Sequence, residues 1–339
     1  MSDFPIIWDF SILRASNNTT WHQVDNLSKS EGICVQIVYV IMCFFGTTGN
    51  FITIVALVKN PGLRKKSNTK FVVSLSISDM LTCLTIMPIW IVLVRNSNIT
   101  FVETICSFSV FFHYATQSTS LITLMAISIN KYVMICHKTI YHRIYTTQNV
   151  ALMIIFTWLF TFGLFALPLV RIWGKIDLAA SNIRCDILPE NYDKVNAKKF
   201  FFIFFFLLPL FIMTICYIAI FIKIRRMKKE IQEYFSNHKD TDWELLKMMT
   251  ILFVCYILGA LPILITNLID PLMLHNRIHI IPRMLIAVQA IINPFIYAFN
   301  NKVYQPAYQK LFQDISRTVC QERSETRLKS VCQEIKETK

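Results

Sequence analysis

One acidic side chain, Asp79, interrupts sequence that is otherwise apolar enough to lie in a membrane. It is the only aspartate or glutamate within seven long apolar segments of the chain. An unpaired charge is costly to bury in hydrocarbon, so a membrane protein that keeps one usually turns it toward the bundle interior, beside polar partners, and uses it. Asp79 is therefore the first candidate functional residue.

The segments that must position Asp79 dominate the composition. Of the 339 residues, 54% are hydrophobic and only 16% are charged, and the mean hydropathy is +0.48. About 20 residues of helix cross the roughly 30 Å hydrocarbon layer, where the backbone finds no water to bond. The sequence therefore predicts an all-α membrane protein with a seven-transmembrane helix bundle over residues 35–299. Helices one to seven are predicted at Val35–Val58, Phe71–Val94, Phe108–Ile129, Val150–Val170, Phe200–Ile222, Met248–Ile269 and Ile280–Phe299.

Charge in the loops predicts the orientation. About two thirds of the 34 lysines and arginines fall in the loops on one side and in the C-terminal tail, which the positive-inside rule places in the cytoplasm. Residues 1–34 are then an extracellular N-terminal segment. Four sequons lie on this outer side and predict glycosylation at Asn17, Asn18, Asn26 and Asn98. The net charge of +13 fits contact with anionic membrane lipids, and no nucleic-acid partner is expected.

Beyond helix seven, apolar residues recur at helical spacing. They are Val303, Tyr304, Ala307, Tyr308, Leu311, Phe312 and Ile315. This pattern predicts a short amphipathic eighth helix over residues 300–315 on the cytoplasmic membrane surface, with an ordinary frayed tail as the alternative. Pro306 is compatible with the helix only in its first turn. Residues 316–339 are polar and predict a disordered cytoplasmic tail, in which Cys320 is a candidate for palmitoylation or stays free.

Motifs in the predicted helices carry a family resemblance. They are Gly49-Asn50, Leu75-Ser76-Ile77-Ser78-Asp79, Cys106 followed by Asn130-Lys131-Tyr132, Trp158, Pro209 with Tyr217, Pro262, and Asn293-Pro294-Phe295-Ile296-Tyr297. In order and spacing they resemble the rhodopsin-like (class A) G-protein-coupled receptors over nearly the whole chain. The run from Asn130 to His137 is similar to the melatonin-receptor branch. The outer loop with Trp173-Gly174 and Cys185-Asp186-Ile187-Leu188 is similar to the invertebrate moody and trapped-in-endoderm receptors.

The resemblance implies an ion site around Asp79. It places Asp79, Ser120 and Asn293 at the positions of the family's sodium pocket, which collapses when a receptor activates. A carboxylate, a hydroxyl and waters supply the hard oxygen ligands that sodium prefers. The alternative is a protonated Asp79 that hydrogen-bonds to Asn50 and Asn293 without an ion. Apart from an allosteric sodium ion, no cofactor is expected.

The resemblance also implies an activation switch. Its residues would be Asn130, Lys131, Tyr132, Tyr217, Asp242, Pro262, Pro294 and Tyr297. Lys131 replaces the usual arginine and would pair with Asp242 in the inactive state. Lysine is a flexible point charge rather than a planar five-donor fork, and Asn130 replaces the usual neighbouring acid. We therefore expect a weaker latch and raised basal signalling. Ala260 stands where the family has a tryptophan toggle.

The outer half of the bundle would hold the ligand. The resemblance implies a disulfide between Cys106 and Cys185 that ties the second outer loop over the bundle. The candidate ligand-binding residues are His113, Tyr114, Gln117, Asn267 and Gln289. His113 occupies the position of the amine receptors' aspartate, so a non-aminergic small molecule or lipid is expected.

The resemblance implies a plasma-membrane receptor that activates heterotrimeric G proteins, is bound by arrestin, and is not an enzyme. A transporter or channel would show paired repeats, broken helices or several intramembrane charges. A membrane enzyme would need a catalytic cluster at membrane depth. The sequence has neither pattern.

Overall fold

The computed structural model describes residues 29–95, 99–178, 185–188, 197–226, 241–269, 276–318 and residue 321. Several predicted sites lie outside these residues, namely the sequons at Asn17, Asn18, Asn26 and Asn98, the cysteine Cys320 and the tail 322–339. The side chains of Cys106, Cys185, Asp242 and Asn267 also lie outside the described part, although their backbone belongs to described helices and strands.

Seven long helices form the bundle, so the predicted all-α, seven-helix architecture is confirmed. Helices one to four are Lys29–Lys59, Ser67–Arg95, Ile99–Cys136 and Thr147–Leu169. Helix five consists of Ala197–Phe202, a π-helical turn Ile203–Leu207 and Leu208–Arg226, and helices six and seven are Thr241–Ile269 and Asn276–Asn300. In the described part, five helices (one, three, four, five and seven) are long and apolar enough to span a membrane, and helix six contributes a shorter apolar stretch, Thr250–Thr266.

Every helix of the bundle begins before its predicted first residue and is longer than predicted. Helix one begins at Lys29, inside the predicted N-terminal segment, and helix three runs from Ile99 to Cys136 rather than from Phe108 to Ile129. Hydropathy marks only the part of a helix that suits hydrocarbon, whereas the backbone hydrogen bonds of a helix continue into the interface without penalty. The sequence therefore underestimates helix length.

The π turn in helix five has a local cause. Pro209 has no N–H, so the carbonyl of Phe205 lacks its partner four residues later. The regular hydrogen-bond pattern is interrupted there, and the wider turn Ile203–Leu207 lies directly before Leu208–Arg226. The turn carries Phe205 into the buried aromatic cluster between helices three, four and five.

A β-hairpin follows helix four. Strands β1 (Lys175–Leu178) and β2 (Cys185–Leu188) pair antiparallel, with Ile176 opposite Ile187. Both isoleucines are buried in the same aromatic cluster as Phe205, and both strands contact helix three. The hairpin therefore covers one end of the bundle beside helix three.

Residues 305–318 are helical after a turn at 302–304, so the eighth helix starts five residues later and ends three residues later than predicted. Pro306 falls in its first turn, as the sequence required. Asn301 caps the turn, because its Oδ1 accepts from the backbone N–H groups of Val303 (2.7 Å) and Tyr304 (3.2 Å). The Tyr308 hydroxyl lies 2.8 Å from Thr53 Oγ1 on helix one, which docks the helix against the bundle. Its contact with a membrane surface stays a prediction.

Candidate functional site

The structure brings Asp79 together with the two partners that the sequence predicted. Asp79 is 4% exposed on helix two. Ser120 Oγ, on helix three, donates to Asp79 Oδ1 at 2.8 Å, and Asn293 Nδ2, on helix seven, donates to Oδ2 at 2.6 Å. Each carboxylate oxygen thus has a buried donor, and three helices meet at one carboxyl group.

Ser78 extends this network. Its hydroxyl lies 2.7 Å from Ser120 Oγ and 2.9 Å from the carbonyl oxygen of Leu75. Three contacts link Leu75, Ser78, Ser120 and Asp79 in a row. Each contact needs one proton to be a hydrogen bond, and the two serine hydroxyls supply only two. All three are hydrogen bonds at once only when Asp79 carries a proton on Oδ1, in which case Ser120 Oγ accepts from Asp79 and donates to Ser78. With an ionised Asp79, one contact of Ser78 lacks its hydrogen.

The alternative without an ion predicted a hydrogen bond between Asn50 and Asp79, but Asn50 has other partners. Its Nδ2 donates to the carbonyl oxygens of Gly46 (2.8 Å) and Ala290 (2.7 Å), not to Asp79. The second bond has a clear reason, because Pro294 has no N–H to offer the carbonyl of Ala290 four residues earlier. Asn50 therefore satisfies the carbonyl that the helix-seven proline leaves free.

A small cavity lies beside Asp79. Its volume is about 20 Å³, which exceeds the roughly 10–15 Å³ that a cavity needs to hold one water molecule. Its polar lining is Asp79, Gln117, Ser120, Gln289 and Asn293. The donor set of a carboxylate, a hydroxyl and amide oxygens is made of hard oxygen atoms, so these residues fit a sodium ion with water completing its shell. Among the described residues no group of three or more histidines, cysteines or acids could hold another metal.

The predicted ligand-binding residues divide into two places. Gln117 and Gln289 line the cavity beside Asp79, and Gln289 Nε2 donates to the carbonyl oxygen of Tyr256 on helix six at 2.7 Å. Tyr114 instead stacks on Phe165 with 5.8 Å between ring centroids, and the His113 ring lies 5.4 Å from that of Tyr114. The two glutamines therefore belong to the ion pocket, and His113 and Tyr114 to the aromatic region above it.

Near the C-terminal end of helix three, Asn130 and Lys131 are both fully buried. Lys131 Nζ lies 4.0 Å from Met134 Sδ. Neither amide atom of Asn130 has a hydrogen-bond partner in the described part of the chain, so Asn130 does not restrain Lys131. The Tyr132 hydroxyl pairs with His137 Nε2 at 3.1 Å instead of turning inward. The pairing of Lys131 with Asp242 stays a prediction.

The two switch tyrosines have different ring partners. The Tyr217 ring stacks on Phe253 with 4.7 Å between centroids. Tyr297 is fully buried, its ring packs against Tyr304, and its hydroxyl has no partner among the described residues. Among the described residues, the hydroxyls of Tyr217 and Tyr297 therefore form no hydrogen bond with each other.

The junction after helix seven holds helix six in place. Asn301 Nδ2 lies 2.8 Å from the sulfur of Met248, and both residues are fully buried. Met248 belongs to the cluster that also contains Tyr297 and Tyr304. The N-terminal half of helix six is thus packed against the helix-seven junction in a closed arrangement.

Sequence reasoning missed several of these contacts. Ser78, the Gln289–Tyr256 bond and the Asn301–Met248 contact were not anticipated. One signal was available for Asn50, since a proline at position 294 leaves the carbonyl at position 290 without its helical partner. Met248 carried no signal, because a methionine in an apolar helix is ordinary core.

Comparison with known proteins defines the class to which this fold and pocket belong. Residues 49–297 match the model of the seven-transmembrane receptor (rhodopsin) family. The chain therefore belongs to the rhodopsin family, the class A G-protein-coupled receptors, and is a multi-pass membrane receptor rather than an enzyme.

Individual relatives sharpen the comparison. The chain is 30% identical over 292 residues to protein trapped in endoderm-1 of Drosophila melanogaster, covering 79% of this chain and 74% of that protein. It is 25% identical over 328 residues to the G-protein coupled receptor moody of the same fly, covering 78% of this chain and 49% of moody, so it spans about half the length of that relative. The crystal structure of squid rhodopsin matches 87% of this chain with a TM-score of 0.70 at 19% identity and covers 90% of that chain. This last likeness shows the fold alone.

Proposed function

We propose that this receptor binds a non-aminergic extracellular ligand and activates heterotrimeric G proteins by opening a cleft at its cytoplasmic end. The observation that carries the proposal is the closed junction of helices six and seven. Met248 is packed against Asn301, and the buried hydroxyl of the neighbouring Tyr297 has no hydrogen-bond partner within the described part of the chain. A buried hydroxyl without a hydrogen bond costs free energy, and a rearrangement that gives it one is thereby favoured.

Helix seven contributes both to the ion pocket and to this junction. Asn293, which donates to Asp79, is one helical turn from Tyr297 on helix seven. A change in the contacts of Asp79 alters the position of Asn293 and hence of the turn that carries Tyr297. In this proposal a sodium ion in the cavity, held by Asp79 and Ser120, favours the closed state by binding it preferentially.

The outer end is proposed to receive a neutral small molecule or lipid. His113 and Tyr114 lie below the hairpin among rings such as Phe111 and Phe165, which offer apolar surface and few charges. The proposed orientation places the glycosylated N-terminus outside the plasma membrane. The proposed disulfide joins Cys106 to Cys185, whose strand contacts helix three. Arrestin is the second proposed cytoplasmic partner.

The test is ligand-independent nucleotide exchange. Purified full-length receptor in phospholipid nanodiscs is mixed with a panel of Gα subunits and Gβγ, and GTPγS uptake is measured against empty nanodiscs. The proposal expects uptake above the control for at least one Gα class, because the Asn130–Lys131 switch lacks its acidic restraint. Absence of uptake from every Gα class, for the native chain and for Met248→Ala, contradicts it.

A further inference from the structure

Helices six and seven approach each other closely at Gly259. Gln289 Nε2 donates to the carbonyl oxygen of Tyr256 at 2.7 Å. A Cβ atom placed on Gly259 would lie 2.7 Å from that nitrogen and 3.2 Å from the carbonyl oxygen of Leu285. Real Cβ atoms essentially never come within 3.0 Å of another heavy atom. The amide of Gln289 therefore reaches helix six only because residue 259 has no side chain.

The acceptor lies in a weakened part of helix six. Pro262 has no N–H, so the carbonyl of Leu258 lacks its helical partner just after Tyr256. Tyr256 itself is buried and packs with Leu121 and Met213. A donor from helix seven thus holds helix six immediately on the cytoplasmic side of its proline, the part that must move for a cytoplasmic cleft to open.

The same glutamine borders the ion pocket. Gln289 lines the cavity beside Asp79 and lies one helical turn before Asn293, which donates to Asp79 at 2.6 Å. One face of helix seven therefore contacts both the acidic group on helix two and the backbone of helix six. The two contacts are four residues apart on one rigid helix.

We propose that Gln289, seated against Gly259, is a latch between helices six and seven that holds the receptor closed and ties the Asp79 pocket to the movement of helix six. The proposal rests on the receptor function proposed above. Outward movement of the cytoplasmic half of helix six turns the Tyr256 carbonyl away from helix seven and breaks the latch. Gln289 is a positioning residue, and the chain needs no large aromatic side chain at Ala260 to connect the two helices.

Gly259→Ala tests the latch with the smallest change. The added methyl displaces the Gln289 amide from Tyr256. The matched control is Gly163→Ala, because Gly163 also lies inside a transmembrane helix but has no atom within 4 Å of the added Cβ. Both replacements gain the same helix propensity, so their difference reports the contact with Gln289.

The first readout needs no G protein. Hydrogen–deuterium exchange of residues 252–262 is measured by mass spectrometry on the full-length protein in nanodiscs. We expect exchange to rise about three- to tenfold in Gly259→Ala, the change that loss of one intramolecular hydrogen bond makes in an opening equilibrium. Gly163→Ala should match the native chain. Equal exchange in the two alanine variants overturns the latch.

A double-mutant cycle separates the latch from a general packing defect. Gln289→Ala removes the amide without adding atoms and should raise exchange by a similar factor. In that background Gly259→Ala should add little, since no amide is left to displace. Independent, multiplying effects overturn the proposal. If Gly259→Ala does not fold, Gln289→Ala alone decides, and unchanged exchange in that variant contradicts the latch.

The second readout is basal GTPγS uptake by Gα. Where the native receptor activates a Gα, Gly259→Ala and Gln289→Ala should raise its uptake about three- to tenfold. Raised hydrogen exchange with unchanged uptake refutes the latch as a control of activation. If neither the native chain nor any variant activates Gα while the exchange cycle behaves as expected, the receptor function fails and the contact between helices stands.

Discussion

Asn130 is fully buried on helix three, and neither its amide nitrogen nor its amide oxygen has a hydrogen-bond partner among the described residues. Leaving a buried polar group unsatisfied costs about 1–3 kcal/mol, and an apolar side chain of similar shape removes that cost. We therefore expect Asn130→Leu to raise the free energy of unfolding by about 1–3 kcal/mol. In a chain of this size that is a rise of a few degrees in the apparent melting temperature.

The matched control is the same replacement at Asn293, a buried asparagine whose side chain does form a hydrogen bond. Asn293→Leu removes the donor to Asp79 Oδ2 and should lower the melting temperature. Both variants are followed by intrinsic tryptophan fluorescence during heating in nanodiscs. If Asn130→Leu is destabilised as much as Asn293→Leu, the Asn130 amide makes bonds in the folded protein, and the reasoning about this switch is refuted. Asn130→Ala, which adds no volume, separates that outcome from overpacking.

The other predictions concern the cytoplasmic and membrane-embedded contacts. Lys131→Arg should lower basal GTPγS uptake, because a guanidinium group with five donors restrains the switch better than a single ammonium group. Unchanged uptake would contradict the prediction that Lys131 makes a weaker pairing with Asp242 than an arginine would. Tyr308→Phe should reduce the free energy of unfolding by about 0.5–1.5 kcal/mol, because it removes one hydrogen bond while Thr53 Oγ1 still donates to the carbonyl oxygen of Gly49, and the loss should shrink in a Thr53→Val background. Gly46→Ala should destabilise strongly, since its Cβ would collide with Cys83 Sγ. Cys83→Ala should restore much of the melting temperature, and a failure to do so would locate the clash elsewhere.

The sequence predicted the seven helices because each apolar segment is long enough to cross the hydrocarbon layer of a membrane. In that layer a single segment can satisfy the hydrogen bonds of its own backbone only as a helix. The charge of Asp79 in an apolar segment predicted that it needs polar partners, and the resemblance to the rhodopsin-like receptors named Ser120 and Asn293, which donate to its two carboxylate oxygens. Helix ends were predicted poorly, since the hydropathy of a segment says nothing of where backbone hydrogen bonding stops.

Contacts that depend on how close two helices lie could not be predicted. Gln289 was assigned to a ligand cleft because it is a polar residue on helix seven, but the gap at Gly259 lets it reach the backbone of helix six. The Asn301–Met248 contact likewise depends on the turn at residues 302–304, whose geometry no hydropathy pattern contains. Both are pairings between residues that are unremarkable on their own helices.

The most direct test of the ion-sensitive switch is the sodium dependence of basal GTPγS uptake in the native receptor and in Asp79→Asn. NaCl is raised while choline chloride keeps the ionic strength constant, so that general screening does not change. We predict that sodium lowers basal uptake of the native receptor and has no effect on Asp79→Asn, which keeps the size of the side chain but lacks its charge. A sodium response that is the same in both proteins would contradict the assignment of Asp79 as the centre of the switch.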